Sequence, residues 1–185
     1  MSNFSNSTRR LSRMAVMAAL YTVLAMITIP IGNIHLTLAS LPVVLTASLF
    51  GPLQGAAVAV VGEFIHQMLT YGFTLTTLLW LVPPALRAAV IGLGVYALKK
   101  AGRLPEAKPA FYYALCVAAA ILTTAVNTLV IWLDSILYGY YTAAYVFGDA
   151  LARFVTGTLT AVIVATLSLV LLRFLRRQPF LQKEL

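Results

Sequence analysis

The sequence predicts an all-α membrane protein of six transmembrane helices with both termini in the cytoplasm, and its composition and charge distribution support that prediction. Hydrophobic residues make up 61% of the 185 residues and charged residues only 10%. The mean hydropathy of +0.92 lies well outside the range of soluble domains. Long apolar runs alternate with short basic segments, which is the arrangement expected of a protein that crosses a bilayer several times.

The basic residues mark the segments that we expect in the cytoplasm. The net charge is +8, and eleven of the 13 Lys and Arg residues fall into three clusters that flank apolar runs. Cytoplasmic loops of membrane proteins carry such an excess of Lys and Arg, so the charge reflects topology and no nucleic-acid partner is expected. The clusters are Arg9, Arg10 and Arg13; Lys99, Lys100, Arg103 and Lys108; and Arg173, Arg176, Arg177 and Lys183.

The six spans follow from the length that a helix needs to cross the hydrocarbon, roughly 20 residues. We expect one membrane domain at 11–177, a cytoplasmic N-terminal tail at 1–10 and a cytoplasmic C-terminal tail at 178–185. The second span is short, so it is predicted to be tilted little, bent or partly re-entrant. Pro83 and Pro84 predict a kink in the fourth. The spans are 11–30, 36–50, 53–70, 74–98, 109–133 and 145–173.

Polar residues inside the apolar spans are the candidate ligand contacts. Glu63 and His66 share a face of the third span, Asn127 lies in the fifth, and Asp149 and Arg153 lie in the sixth. Counted at about 1.5 Å per residue, all five fall in the outer half of the membrane. Because an isolated charge is costly in hydrocarbon, their convergence predicts an outward-facing binding pocket.

Structural roles stay open for several of these residues. Asp149 and Arg153 are spaced i, i+4 and could pair with each other within one helix. His66 could serve packing alone. Arg87, counted to the inner half, is expected to join helices more than to bind substrate, and a role in ligand binding stays open for it. The tyrosines in 138–145 fit either an interfacial aromatic belt or a lid over a ligand.

The sequence contains no recognisable enzymatic motif. Phosphate-binding glycine loops, HExxH, GxSxG and paired carboxylates on one helix face are all absent, and Cys116 is the single cysteine. We therefore expect no catalysis, no metal and no cofactor. An autonomous secondary transporter is an alternative function, but its proton or ion relay would have to span the membrane. A membrane enzyme acting on lipids is a further alternative, and it would need a nucleophile, metal cluster or carboxylate pair.

Several segments together resemble a known family, the substrate-binding S components of energy-coupling factor (ECF) transporters, which are prokaryotic vitamin importers. The resemblance covers nearly the whole chain. It rests on the six-span plan and on Ala15-x-x-x-Ala19, LFGP (Leu49 to Pro52), YGFTLTTLLW (Tyr71 to Trp80) and NTLVIWLDSILYG (Asn127 to Gly139).

The resemblance implies a bundle of the ECF S-component type in a prokaryotic cell membrane. Such a subunit binds a vitamin from outside and delivers it inward with a transmembrane coupling subunit and two ATPase subunits, so ATP hydrolysis is expected in the partners. Ala15 and Ala19 match the surface that meets the coupling subunit. The loop from Ile31 to His35, with Asn33 and His35, matches a gate.

The LFGP and GFTL pieces look most like folate-type members, so folate is the expected vitamin, with pantothenate, riboflavin, thiamin or a related vitamin as alternatives. Folate joins a flat pterin to an anionic glutamate. Glu63 and Asn127 suit the ring edges, and Arg153 suits a carboxylate. The full set of predicted substrate contacts is Glu63, His66, Tyr71, Trp80, Asn127, Trp132, Asp149 and Arg153.

Overall fold

The computed structural model describes residues 2–31 and 34–177, and nearly all of them are helical. The helices are α1 (Ser2–Met26), α2 (Ser40–Phe50), α3 (Pro52–Thr70), α4 (Thr77–Trp80), α5 (Val82–Lys100), α6 (Pro109–Leu137), α7 (Ala143–Phe147) and α8 (Ala150–Arg176). A short 3-10 helix, Pro105–Ala107, lies in the basic linker between α5 and α6.

α1 begins earlier than the predicted first span. It starts at Ser2, so residues 2–10 of the predicted tail belong to the helix. Arg9 and Arg10 are exposed, which is compatible with a helix that continues beyond the apolar part of the chain. The predicted C-terminal tail, 178–185, lies outside the described residues.

A β-hairpin joins α1 to α2, where the sequence indicated only a loop from Ile31 to His35. β1 (Ile29–Ile31) pairs antiparallel with β2 (Ile34–Leu36), and Pro30 lies opposite His35. The isoleucines in both strands favour extended backbone, and Pro30 is tolerated because the hairpin has only two strands, each of them an edge. Asn33, one of the two predicted gate residues, lies outside the described residues, whereas His35 lies in β2.

α2 is the central helix of the bundle and is only 11 residues long. It packs against α1, α3, α5 and α8. Gly51 ends it with φ of 99°, a conformation that favours glycine, and Pro52 opens α3 directly afterwards. At about 16 Å in length, α2 cannot cross the hydrocarbon by itself.

Two predicted spans are each divided into a short and a long helix. The helix is interrupted at Leu81, although the φ and ψ of that residue remain in the helical region, and this interruption separates α4 from α5. Pro83 and Pro84 lie in the first turn of α5 instead of kinking its middle. N–H groups in the first turn of a helix have no partner within that helix, so a proline there costs no helical hydrogen bond. Gly148 and Asp149 likewise separate α7 from α8.

Two apolar clusters form the core. One joins α2, α5, α6 and α8 around Tyr112, whose hydroxyl lies 3.1 Å from Ser48 Oγ and 3.0 Å from Ser168 Oγ. The other joins α1, α2, α3 and α5 around Val58 and Ala59.

By length and hydropathy, three helical segments within the described part of the chain can cross a membrane, Thr77–Lys100, Pro109–Leu137 and Ala143–Arg176. The all-α membrane fold is confirmed, and the count of six crossings stays a prediction.

Candidate binding cavity

The helices enclose a cavity of about 560 Å³ between α1, α2, α3, α5, α6 and α8. Such a volume lies within the range of small-molecule sites. Strand β2 and the short helices α4 and α7 complete its wall. The polar residues that line it are Tyr21, Thr37, Ser40, Glu63, Arg87, Thr123, Thr124, Asn127, Tyr145, Asp149, Arg153, Thr156 and Thr160.

Five of the eight predicted substrate contacts line this cavity, namely Glu63, Trp80, Asn127, Asp149 and Arg153. They come from α3, α4, α6 and the start of α8. Separate helices therefore bring these five side chains to the wall of one cavity, as the sequence predicted. Their contact with a ligand stays a prediction.

The other three predicted contacts lie outside the lining. Tyr71 follows the end of α3 and is 66% exposed, and Trp132 lies on a partly exposed face of α6. His66 faces Glu63 on the same helix, with 3.5 Å between His66 Nδ1 and Glu63 Oε2.

Glu63 is held by hydrogen bonds from two neighbouring side chains. The Tyr21 hydroxyl donates to Glu63 Oε2 at 2.7 Å, and Gln67 Nε2 donates to Oε1 at 2.7 Å. Beside them, the Thr22 hydroxyl donates to the Gly62 carbonyl at 3.1 Å. Both carboxylate oxygens of Glu63 are therefore engaged within the protein, and the carboxylate joins α1 to α3 at the edge of the cavity.

Tyr21 is a lining residue that the sequence reasoning did not identify. Its ring lies so close to α3 that a Cβ on Gly62 would come within 2.7 Å of it. Its position in the middle of an apolar run could have identified it, because a buried hydroxyl usually needs a hydrogen-bond partner.

Asp149 and Arg153 do not form the i, i+4 pair that the sequence left open. Both residues are described, and no ion pair joins them. Arg153 Nη2 donates instead to the Val146 carbonyl in α7. Asp149 takes the position before α8 without capping it through its side chain, and it is exposed.

Arg87 lies in the cavity wall, although the sequence favoured a purely structural role for it. Its Nε donates to Thr123 Oγ1 at 3.4 Å. Within the described part of the chain, the terminal nitrogens of Arg87 have no hydrogen bond or ion pair. The guanidinium is thus positioned by α6 and keeps donors for a ligand.

The threonines of the wall present acceptors to the cavity. The hydroxyls of Thr123, Thr156 and Thr160 donate to backbone carbonyls four residues earlier, at 2.6, 2.8 and 2.7 Å. With the hydrogen so used, each oxygen can still accept. Asn127 makes no hydrogen bond to any described residue, so its amide offers both a donor and an acceptor.

The tyrosines after α6 support one end of the cavity. The Tyr140 hydroxyl donates to Asp134 Oδ2, and its ring meets that of Tyr145 edge-on with 5.4 Å between centroids. Desolvation and this hydrogen bond raise the pKa of Tyr140 above its ordinary value. Tyr145 lines the cavity, whereas Tyr138 accepts a hydrogen bond from the Leu75 N–H at 3.2 Å.

Ala15 and Ala19, the predicted coupling surface, are both exposed on α1, whereas Ala18 is buried. Among the described residues no group of three or more His, Cys, Asp and Glu could hold a metal ion.

A family model for the S component of ECF-type riboflavin transporters matches residues 5–175. The chain belongs to this S-component family. The resemblance stated from the sequence is therefore confirmed at the level of the S component, together with the predicted location in a membrane. The family is that of a substrate-binding transporter subunit and not of an enzyme.

Solved S components share the fold. One, from a study of the structure and mechanism of the S component of a bacterial ECF transporter, has a TM-score of 0.63 at 23% identity, covering 92% of this chain and 99% of that one. Another, the S component for biotin from an ECF-type ABC transporter, has a TM-score of 0.60 at 16% identity and covers 94% of each chain. No curated protein matches this chain.

Proposed function

We propose that this S component binds a vitamin that carries a carboxylate, with folate as the leading candidate. The observation that supports it is the presence of two arginines in the cavity wall, Arg87 and Arg153, with no acidic partner among the described residues.

The acids of the same cavity do not neutralise these arginines. Glu63 is engaged by Tyr21 and Gln67, and Asp149 is exposed. A guanidinium enclosed by apolar helices is stabilised by an anion, and its planar donors match a carboxylate in a bidentate arrangement. A ligand carboxylate would therefore satisfy the charge that the protein leaves open.

The remaining wall suits a flat ring with polar edges. Trp80 offers an aromatic surface, Asn127 offers an amide without a partner, and threonine oxygens offer acceptors. Rings stack on tryptophan while their edges find hydrogen bonds, which is the usual division of labour in small-molecule sites. Folate combines such a ring with carboxylates.

Riboflavin is the second candidate, and the family model favours it because that model describes riboflavin transporters. Riboflavin also has a flat ring with polar edges, and its uncharged polyol chain could bind the threonines. It offers no carboxylate, so it would leave both arginines without an anion, whereas folate can supply one to at least one of them. The charge of the ligand separates the two candidates.

The test is titration of the full-length protein, purified in detergent, with folic acid and with riboflavin, followed by thermal unfolding and calorimetry. Saturable stabilisation by folic acid and none by riboflavin supports the proposal. Stabilisation by riboflavin alone, or a flavin absorption band in the purified protein, contradicts it.

We further propose the transport setting of the site. The chain would span 11–177 as one six-helix domain with cytoplasmic tails at 1–10 and 178–185. It would work with a transmembrane coupling subunit and two ATPases, meeting the former through Ala15 and Ala19. Asn33 and His35 would belong to the gate.

A further inference from the structure

We propose that Arg87 binds the ring of the ligand, by donating its terminal N–H groups to the acceptor edge of a fused heterocycle, while Arg153 binds the carboxylate at the other end. The ligand would then lie with its ring inward and its charged tail toward α7. The inference rests on the proposed function, which it deepens by assigning an orientation.

The two arginines lie at different depths. Arg87 contacts Thr123, which precedes the end of α6 at Leu137 by about 21 Å at 1.5 Å per residue. Arg153 contacts Val146 in α7, within the segment that joins α6 to α8. One guanidinium is thus deep in the bundle, and the other lies near the end that carries the connecting segment.

The two carboxylates of folate lie at the same end of an elongated molecule. Because Arg87 and Arg153 lie at different depths, only one of them can bind that end. Burial of a carboxylate costs more free energy than burial of a neutral ring. Arg153 lies beside the exposed Asp149 and near the end of the bundle, where the tail can keep part of its hydration. The neutral ring therefore belongs at the Arg87 end.

The chemistry of Arg87 suits a ring edge. Its Nε is used by Thr123, which leaves the terminal nitrogens for a ligand. A pterin presents a carbonyl oxygen beside a ring nitrogen, both acceptors, and the isoalloxazine of riboflavin presents the same pair. The fork of a guanidinium can donate to two adjacent acceptors at once, whereas a lysine ammonium lacks that planar geometry.

Two half-ligands test the orientation. Binding of 6-methylpterin, which is the ring without the tail, and of 4-aminobenzoylglutamate, which is the tail without the ring, is measured by calorimetry on the wild type, Arg87→Gln and Arg153→Gln. We expect Arg87→Gln to weaken 6-methylpterin by about tenfold or more and to leave the tail fragment within about twofold. Arg153→Gln should do the reverse. Arg103→Gln, in the cytoplasmic linker, is the matched control and should change neither.

Binding of the unaffected half-ligand shows that each variant is folded. Should Arg87→Gln fail to fold, Arg87→Lys keeps the charge without the fork and should still weaken 6-methylpterin. Unchanged 6-methylpterin affinity in folded Arg87→Gln or Arg87→Lys, or loss of the tail fragment in Arg87→Gln, overturns the inference while leaving the proposed function intact.

A wild-type protein that binds neither half-ligand nor folic acid overturns the proposed function instead. Lumiflavin, the isoalloxazine ring of riboflavin with a methyl group in place of the ribityl chain, then decides the inference. Weaker binding of lumiflavin to Arg87→Gln supports the ring-edge role, and unchanged or absent binding overturns it.

Discussion

Arg153 is the residue on which the carboxylate hypothesis depends most directly. Its Nη2 donates to the Val146 carbonyl, and its side chain lines the cavity. No acidic residue in the described part of the chain pairs with it. Hydrogen bonds to a charged partner contribute more free energy than neutral ones, so a carboxylate at this position would be bound strongly.

Replacing Arg153 with Gln should weaken folate binding by about 10- to 100-fold, because a neutral amide cannot balance the carboxylate charge. Calorimetry in detergent measures the change. Arg173→Gln, an exposed position in the last turn of the same helix, is the control. Unchanged affinity in folded Arg153→Gln would remove the carboxylate role.

Glu63 should matter for stability more than Tyr21 does, because it accepts both hydrogen bonds of the cluster. Glu63→Ala leaves two buried donors without their acceptor and should lower the free energy of unfolding by about 1–3 kcal/mol. Tyr21→Phe removes a single hydrogen bond and should cost about 1 kcal/mol. Thermal unfolding in detergent compares them, and equal midpoints would contradict this account.

Individual residues of the cavity wall could be predicted when charge or amide groups stood out against an apolar background, as with Glu63, Asn127, Asp149 and Arg153. Residues such as Tyr21 and Thr156 could not be ranked, because tyrosine and threonine are common in membrane helices. His66 shares a helix face with Glu63, as the sequence indicated. In the structure its ring lies beside the Glu63 carboxylate and outside the cavity lining.

At the scale of the elements, glycines decide how closely the helices approach. A Cβ on Gly92 would come within 2.5 Å of Pro52 Cα, at the start of α3, so only a residue without a side chain fits there. Two residues later, a Cβ on Gly94 would meet the Leu115 Cδ atoms at 2.5 and 2.6 Å. A side chain at Gly92 would therefore collide with backbone atoms, whereas one at Gly94 would collide only with the end of a flexible side chain.

These two positions form a matched pair of substitutions. Gly92→Ala should destabilise the protein by about 1–3 kcal/mol, because the backbone of α3 must shift. Gly94→Ala should stay within about 1 kcal/mol of the wild type, since Leu115 can change rotamer and alanine favours the helix. Chemical or thermal unfolding distinguishes them, and a larger loss for Gly94→Ala would refute the packing argument.

Element boundaries were predictable only where a single residue forces them. Gly51 and Pro52 separate α2 from α3 in both sequence and structure. The breaks at Leu81 and Gly148, and the hairpin after α1, depend on tertiary contacts that an apolar run does not reveal. Pro83 and Pro84 signalled a disturbance in the fourth span, but its position differed because prolines are best accommodated in a first turn.

At the scale of the whole molecule, the described chain has a cavity but also a large apolar surface on α1. Ala15 and Ala19 are exposed there together with Val16 and Leu20. Small residues allow another helix to approach closely within a membrane. This surface is separate from the cavity, so binding and coupling should be separable by substitution.

Replacing Ala15 and Ala19 with Trp should leave vitamin affinity in detergent unchanged and abolish uptake in cells that supply the coupling and ATPase subunits. Bulky rings would keep a partner helix from the surface of α1. Leu129→Trp, at an exposed position on α6, is the control and should transport normally. Normal uptake by the α1 variant would exclude this surface as the coupling site.

The enclosure of α2 also determines how the protein can change in evolution. Nine of its 11 residues are buried, from Ser40 to Leu49, and four other helices surround it. Each side chain must fit neighbours on every side, so a saturation library should tolerate fewer substitutions in α2 than in any longer helix. New vitamin specificities should therefore arise chiefly from changes in the helices around it, and α2, which gives only Ser40 and Val43 to the cavity wall, should vary little among lineages.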